Sequence, residues 1–103
     1  MPQSLSAVYL HLVFSTKERR PFFADVAMRA RLHEYIGGVA RRLDCVPIQV
    51  GGVADHIHLL LRHGREISQS ELVKELKRVS SRWLKSQGTA FSDFEWQDTR
   101  CFR

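Results

Sequence analysis

Two histidines separated by a single residue, His56 and His58, are the side chains of this sequence best suited to chemistry. In a β-strand, residues two apart share a face, with Cα atoms roughly 6.5 to 7 Å apart. Neutral imidazole is a common metal ligand, so two such rings can converge on one cation. Asp55 is a weaker ligand candidate, because it points to the other side of the strand or sits at its start. The alternative is a pair of polar residues on a half-exposed strand, since short motifs match by accident.

Strand and helix patterns alternate around these histidines. Asp25 is a predicted N-cap, and Ser68 with Glu71 has the spacing of a capping box. Gly51 and Gly52 predict a turn or bulge. The predicted elements are strands over residues 6–15, 45–53, 54–63 and 94–103, with a helix from residue 25 to 43 and another from residue 68 to about 87.

The order β-α-β-β-α-β, with right-handed crossovers, predicts an α+β, ferredoxin-like fold. Such a fold has a four-stranded antiparallel sheet with two helices on one face and the first and third strands inside. The apolar residues of these strands must meet the helices, which places residues 10, 12, 14, 57, 59 and 61 in the core. His56 and His58 then project from the uncovered face, with His11 and Tyr9 beside them.

The chain has 103 residues, a formal net charge of +5 and a pI near 9.8. Its length predicts one domain over residues 1–103, and its charge favours a polyanionic partner such as nucleic acid. A basic surface without such a partner is the alternative. Cys45 and Cys101 lack metal-site spacing and predict free thiols. With no signal peptide or membrane-spanning run, we expect a cytoplasmic protein without a membrane partner.

Two groups of basic residues are candidates for DNA contact. Lys17, Arg19 and Arg20 follow the first strand and precede Phe22 and Phe23, a combination suited to phosphate contact and base stacking. The second group lies on the second helix, where a solvated helix face is the alternative. It consists of Lys74, Lys77 and Arg78, with Lys85 nearby.

The segment DHIHLLL resembles the HUH signature (histidine, bulky apolar residue, histidine) of single-tyrosine transposases. These are insertion-sequence transposases of the single-strand DNA type, and they include the REP-associated tyrosine transposases. YLHLVFSTKERRP resembles the family's first strand and basic exit, ELVKELKRVSSRWL its second helix, and FEWQ the start of its next strand. The resemblance extends to about Gln97.

This resemblance implies a homodimer that recognises single-stranded DNA hairpins at the ends of a mobile element. Family members cut and rejoin strands through a phosphotyrosine intermediate. They use a divalent metal, Mg or Mn, which polarises the scissile phosphate. The resemblance assigns metal ligation to His56 and His58, and His11 is expected beside them.

The family's catalytic tyrosine and third metal ligand lie on a helix after the last strand, and residues 98–103 leave no room for that helix. We therefore expect a truncated family member, a gene remnant with a truncation or frameshift near codon 98 and impaired catalysis. Tyr35 is predicted to be core, Tyr9 is a weak candidate nucleophile, and Gln97 is a possible substitute ligand. The alternative function is a non-catalytic single-stranded nucleic-acid-binding module or domesticated regulator. An RNA-recognition domain of the same topology would carry aromatic residues on its third strand, which this chain lacks.

Overall fold

Four strands and two long helices follow one another in the predicted order. The computed structural model describes residues 7–102, and the side chains of residues 7–97. Arg103 and the predicted start of the first strand at residue 6 lie outside the described residues. The elements are β1 (Tyr9–Thr16), α1 (Val26–Arg42), β2 (Val46–Val53), β3 (His56–Arg62), α2 (Gln69–Lys85) and β4 (Trp96–Phe102). Short 3₁₀ turns at Lys17–Arg19 and Thr89–Phe91 follow β1 and precede β4.

The sheet is antiparallel with strand order β2-β3-β1-β4, so β1 and β3 are the inner strands. This confirms the predicted ferredoxin-like arrangement. In the β1–β3 register, Leu12 pairs with Leu59 and Phe14 with Ile57. Each of these pairs is buried, because the core-facing residues of both strands fall on the side that the helices cover.

The core lies between the helices and this covered face of the sheet, as the apolar periodicity predicted. Tyr35 stacks on Trp83 between α1 and α2, with ring centroids 4.7 Å apart, so its predicted structural role is supported by its packing. Cys45 is a buried free thiol. The helices contribute the buried side chains of Met28, Leu32, Ile36 and Val39 from α1, and of Leu72, Leu76 and Leu84 from α2.

Both predicted N-caps are present. The Asp25 carboxylate accepts a hydrogen bond from the Ala27 amide at 3.1 Å, and the Ser68 hydroxyl accepts one from the Glu71 amide at 3.1 Å. Each cap satisfies an amide that has no partner within its own helix. These side chains set where the two helices begin.

The β2–β3 hairpin differs from the prediction. Gly51 and Gly52 lie inside β2, and the connecting turn is Ala54–Asp55, so β3 begins at His56. The register irregularity in β2 falls between Pro47 and Gln49. Gly52 is needed for a different reason: its φ is +151°, and a Cβ there would lie 2.3 Å from the His56 carbonyl oxygen. The close approach of the two strands at this point excludes a side chain.

The last strand also begins later than predicted, at Trp96. Phe94 is fully buried and packs edge-on against Trp96, with ring centroids 4.8 Å apart. The Trp96 indole donates a hydrogen bond to the Ser80 hydroxyl of α2 at 3.0 Å. The buried Phe94 side chain therefore fixes the segment just before β4 to the core.

Substituting Gly52 with Ala should destabilise the protein by on the order of 2–4 kcal/mol, because the added Cβ collides with backbone and the φ is unfavourable. Gly51→Ala is the matched control: a Cβ there meets nothing within 4 Å, and we expect a change below about 1 kcal/mol. Urea denaturation followed by circular dichroism measures both. Equal stability of the two variants would contradict this account of the hairpin.

Candidate functional site

The face of the sheet that the helices leave uncovered carries the candidate chemistry. In the β1–β3 register, His58 pairs with Val13, His56 with Ser15, and His11 with Leu60. All of these residues are partly or fully exposed, whereas their neighbours along each strand are buried. The period of two in the strands therefore places the imidazoles opposite the core.

Three imidazole rings lie in a row on this face, with His58 in the middle. The His56 and His58 ring centroids are 4.8 Å apart and the rings are nearly perpendicular, at 77°. On the other side, His11 Nε2 lies 3.3 Å from His58 Nδ1. The structure thus brings His11 to the pair, as the topology argument expected.

Asp55 lies next to His56, in the hairpin turn. Its Oδ1 is 2.8 Å from His56 Nδ1, and both side chains are about three-quarters buried. A carboxylate only accepts hydrogen bonds, so His56 donates from Nδ1, and in the neutral ring the lone pair then lies on Nε2. The hydrogen bond from His56 lowers the pKa of Asp55, and the Arg19 guanidinium acts in the same direction. Asp55, the weaker ligand candidate from the sequence, is therefore a hydrogen-bond partner of His56.

The surroundings of His58 favour the neutral ring, which is the form that can bind a metal ion. Burial lowers the pKa of His58, and the nearby His56 and His11 rings lower it further. The neutral imidazole, which has a lone pair to offer, is therefore favoured near neutral pH. In the tautomer in which His58 Nδ1 donates to His11, the lone pair of His58 Nε2 is left for a ligand.

Two imidazole nitrogens fit part of the coordination sphere of a divalent cation. Among residues 7–97, no three or more His, Cys, Asp or Glu side chains are grouped so that they could hold a metal ion. Water and phosphate oxygens are further donors that a cation on His56 and His58 could take. A shallow cavity of about 350 Å³ beside His58 offers space for such groups. It exists partly because Gly51, which pairs with His58, has no side chain.

The other predicted participants lie further from the pair. Tyr9 is 49% exposed and pairs with Arg62, four residues along β3 from His58, a separation of about 13 Å. The Gln97 side-chain oxygen accepts a hydrogen bond from the Glu18 amide at 3.3 Å. Tyr9 lies on the same face as His11, two residues along β1, but it is separated from His56 and His58 along the sheet. The structure places Gln97 against the loop after β1. The assignment of one domain over residues 1–103 stays a prediction.

The first basic cluster, Lys17, Arg19 and Arg20, lies at the end of β1 close to His56. Each cation has an acidic partner: Lys17 is 3.5 Å from Glu95, Arg19 is 3.3 Å from Asp55, and Arg20 is 2.8 Å from Asp93. The three cations remain 49–63% exposed. Exposed pairs of this kind are weak, so the cations stay available to phosphates.

Buried Thr16 fixes this loop. Its hydroxyl donates to the Arg20 carbonyl at 2.7 Å and also lies 3.2 Å from the Asp55 carbonyl, while its amide donates to the same Asp55 carbonyl at 2.9 Å. One residue therefore connects the basic loop to the turn that carries Asp55. The sequence reasoning missed Thr16, since a threonine at the end of a strand has no distinctive pattern.

The aromatic residues after this loop do not form the predicted stacking surface. Phe23 is fully buried and packs against Phe94 and Trp96, so its prediction was wrong. Phe22 packs against Phe94 and carries the Arg20 guanidinium over its ring, 4.6 Å from the centroid. Both rings were needed to close the core at the end of the sheet.

The second basic group lies in the helical layer, away from the imidazoles. Lys74 and Arg78 are exposed on the outer side of α2, and Arg78 makes two contacts with the Glu75 carboxylate, at 2.8 and 3.1 Å. Lys77 reaches the Gln97 carbonyl on β4 at 3.1 Å. Lys77 is thus closer to the sheet edge than the rest of this group.

Within residues 7–102, neither helix is long and apolar enough to span a bilayer.

Residues 4–102 match the family model described as "Transposase IS200 like". The structure is similar to a candidate transposase from Deinococcus radiodurans, with a TM-score of 0.84 and 20% identity over all of this chain and 85% of that chain. It is also similar to a REP-associated tyrosine transposase bound to a REP hairpin, with a TM-score of 0.61 and 13% identity. This chain is covered completely in that match and spans 62% of that protein. None of the curated proteins matches the sequence.

The two structural similarities show a shared fold, and the family match covers nearly the whole sequence. It includes the histidine pair, the basic loop and both inner strands. The family predicted from the motifs is thereby confirmed. The chain belongs to the IS200-like transposase family.

Proposed function

We propose that this protein binds single-stranded DNA hairpins of a mobile element through its uncovered sheet face and the basic loop. The observation that carries the proposal is the placement of His56 and His58, whose rings lie 4.8 Å apart, with exposed Arg19 of the basic loop linked to His56 through Asp55. A bare sheet face lets a strand of DNA approach, and the cations attract its phosphates. The bound hairpin of the REP-associated relative supports a hairpin as the form of DNA.

We further propose that His56 and His58 hold a divalent cation, magnesium or manganese, each through Nε2. The Asp55 and His11 contacts involve the Nδ1 atoms of His56 and His58, and both side chains lie on the uncovered face of the sheet. When bound, such a cation supplies charge stabilisation at a phosphate. His11 would act as a neighbour that orients His58.

His56→Ala and His58→Ala should each lower the affinity for Mn²⁺ at least tenfold, since each removes one of two protein donors. Isothermal titration calorimetry with MnCl₂ measures this directly. His33→Ala is the control, because His33 lies on α1 in the helical layer. Unchanged Mn²⁺ affinity in both site variants would contradict the assignment of the cation to these histidines.

The position of the basic loop, Lys17 to Arg20, favours it over α2 as the DNA contact. Arg19 contacts Asp55, which in turn contacts His56, so a phosphate at the loop lies next to the proposed cation. Lys74 and Arg78 are on the outer side of α2, across the sheet from the imidazoles. A DNA strand on the imidazole face therefore meets the loop first.

Lys17→Ala combined with Arg19→Ala should weaken hairpin binding and flatten the slope of log affinity against log salt by about 1.4–1.8. Lys74→Ala combined with Arg78→Ala removes the same charge from the helical layer and should leave the slope nearly unchanged. Fluorescence anisotropy with a labelled hairpin oligonucleotide measures both across 50–300 mM salt. If the helix variant changes the salt slope and the affinity more than the loop variant does, the DNA contact lies on α2 and the loop assignment is wrong.

Strand cleavage requires a nucleophile, and the positions of the two tyrosines among residues 7–97 favour a second candidate function. Tyr9 pairs with Arg62, four residues along β3 from His58, and Tyr35 stacks on Trp83 between the helices. A binding module that holds hairpins without cutting them fits this arrangement. Incubation of a labelled single-stranded hairpin with the protein and Mn²⁺ separates the two functions. A covalent protein–DNA adduct identifies the enzyme, and binding without an adduct identifies the module.

A homodimer is also proposed, with β2 as the contacting edge. This edge strand carries the exposed apolar side chains of Val46, Ile48 and Val53, each about half exposed. An open edge with apolar side chains is suited to pairing with a second copy. Ile48→Lys should shift the protein toward the monomer in sedimentation velocity, whereas Val26→Lys, at an exposed position on α1, should not. A monomeric wild-type protein would contradict the proposal.

A further inference from the structure

The carboxylate of Asp55 contacts two functional groups at once. Its Oδ1 is 2.8 Å from His56 Nδ1, and its Oδ2 is 3.3 Å from Arg19 Nε. The Asp55 side chain is 26% exposed, whereas the acids that pair with Lys17 and Arg20 are 61–62% exposed. Partial burial reduces the competition from water for the hydrogen bonds of Asp55. The Asp55 carboxylate is therefore better shielded from solvent than the acids that pair with Lys17 and Arg20.

The backbone on both sides of this contact is held in place by Thr16. The Thr16 amide and hydroxyl both lie within hydrogen-bond distance of the Asp55 carbonyl, and the same hydroxyl donates to the Arg20 carbonyl. The turn carrying Asp55 and the loop carrying Arg19 are therefore attached to one buried residue. Relative movement of the two segments would break these bonds in the interior, where unpaired groups are costly.

The loop itself has an unusual backbone. Glu18 and Arg19 have φ values of 58° and 57°, in the left-handed region that non-glycine residues seldom adopt. Each such residue costs of order 1–3 kcal/mol and persists only where the surroundings determine it. Here the Gln97 side chain accepts from the Glu18 amide, and the Lys17 amide donates to the Glu95 carbonyl. The consequence is that the Arg19 side chain is directed to Asp55.

We propose that Asp55 is a positioning residue that holds the His56 imidazole and the Arg19 guanidinium in one unit, so that a cation and a DNA phosphodiester bind side by side. The inference rests on the proposed function, because it assumes that His56 holds the cation. Asp55 itself touches neither the cation nor the DNA.

The chemistry of the three groups supports this assignment. By accepting the Nδ1 proton of His56, Asp55 selects the tautomer whose Nε2 can bind a metal, a common role for carboxylates behind ligating histidines. Through its other oxygen it restrains Arg19, whose side chain stays 63% exposed. The guanidinium has five N–H donors, and those not used by Asp55 can meet phosphate oxygens.

The first test concerns the tautomer and needs no metal. In the wild-type protein, ¹⁵N NMR should show a protonated Nδ1 and an unprotonated Nε2 for His56 at pH 8. Asp55→Ala should convert this to a mixture of tautomers. Asp93→Ala is the matched control, since it removes the acid paired with Arg20 and leaves Asp55 in place. An unchanged His56 tautomer in Asp55→Ala would overturn the proposal.

The second test concerns the two ligands. Asp55→Ala should lower Mn²⁺ affinity 10–100-fold, and Asp93→Ala less than twofold. A dinucleotide with one phosphodiester, thymidylyl-thymidine, should bind the wild-type protein more tightly with Mn²⁺ than without it. The ratio of the dinucleotide affinity with Mn²⁺ to the affinity without it should fall toward one in Asp55→Ala and in Arg19→Gln. An unchanged ratio in both variants would overturn the coupling between the two sites.

Failure of this inference can be distinguished from failure of the proposed function. If wild-type protein binds no Mn²⁺, the cation proposal fails, while the NMR experiment still reports whether Asp55 controls the His56 tautomer. If Mn²⁺ binds and His56→Ala abolishes binding, but Asp55→Ala changes neither tautomer nor affinity, then the inference alone fails. Thermal unfolding of the Asp55 and Asp93 variants checks that both remain folded.

Discussion

The antiparallel register of β1 against β3 is the constraint on which the rest of the structure depends. It aligns Leu12 with Leu59 and Phe14 with Ile57 on the covered side, and on the other side it sets His58 opposite Val13. A slip by one residue would turn every side chain of a strand to the opposite face. The leucines would then meet water and the imidazoles would enter the core. Hydrophobic burial under the helices thus determines where the polar groups stand.

A second set of interactions connects the sheet to the basic loop. Thr16 ends β1 with its side chain buried, and its hydrogen bonds reach both the Asp55 turn and the Arg20 carbonyl. The left-handed backbone at Glu18 and Arg19 is maintained within this frame. A strained loop supported by buried hydrogen bonds keeps its cations in defined places before any DNA is present. Such preorganisation reduces the ordering cost of binding.

The errors in the sequence predictions have identifiable physical causes. Gly51 and Gly52 suggested a turn because glycine is common there, yet Gly52 is required by the approach of the His56 carbonyl within a continuous strand. Phe23 was assigned to base stacking from its basic neighbours, but the end of the core needed an aromatic ring there. Local patterns report residue type and spacing, and they do not report which cavity a neighbouring element leaves open.

The sequence by itself determined the order of the elements, the inner position of β1 and β3, the helix caps at Asp25 and Ser68, and the face on which the histidines stand. The elements, caps and faces follow from periodicity and capping, which are properties of neighbouring residues. The inner position of β1 and β3 follows from the element order and the right-handed crossover rule. Tertiary structure alone decided that Asp55 joins His56 to Arg19 and that Thr16 supports both segments. These arrangements depend on distances between residues far apart in the chain, which are set only when the core closes.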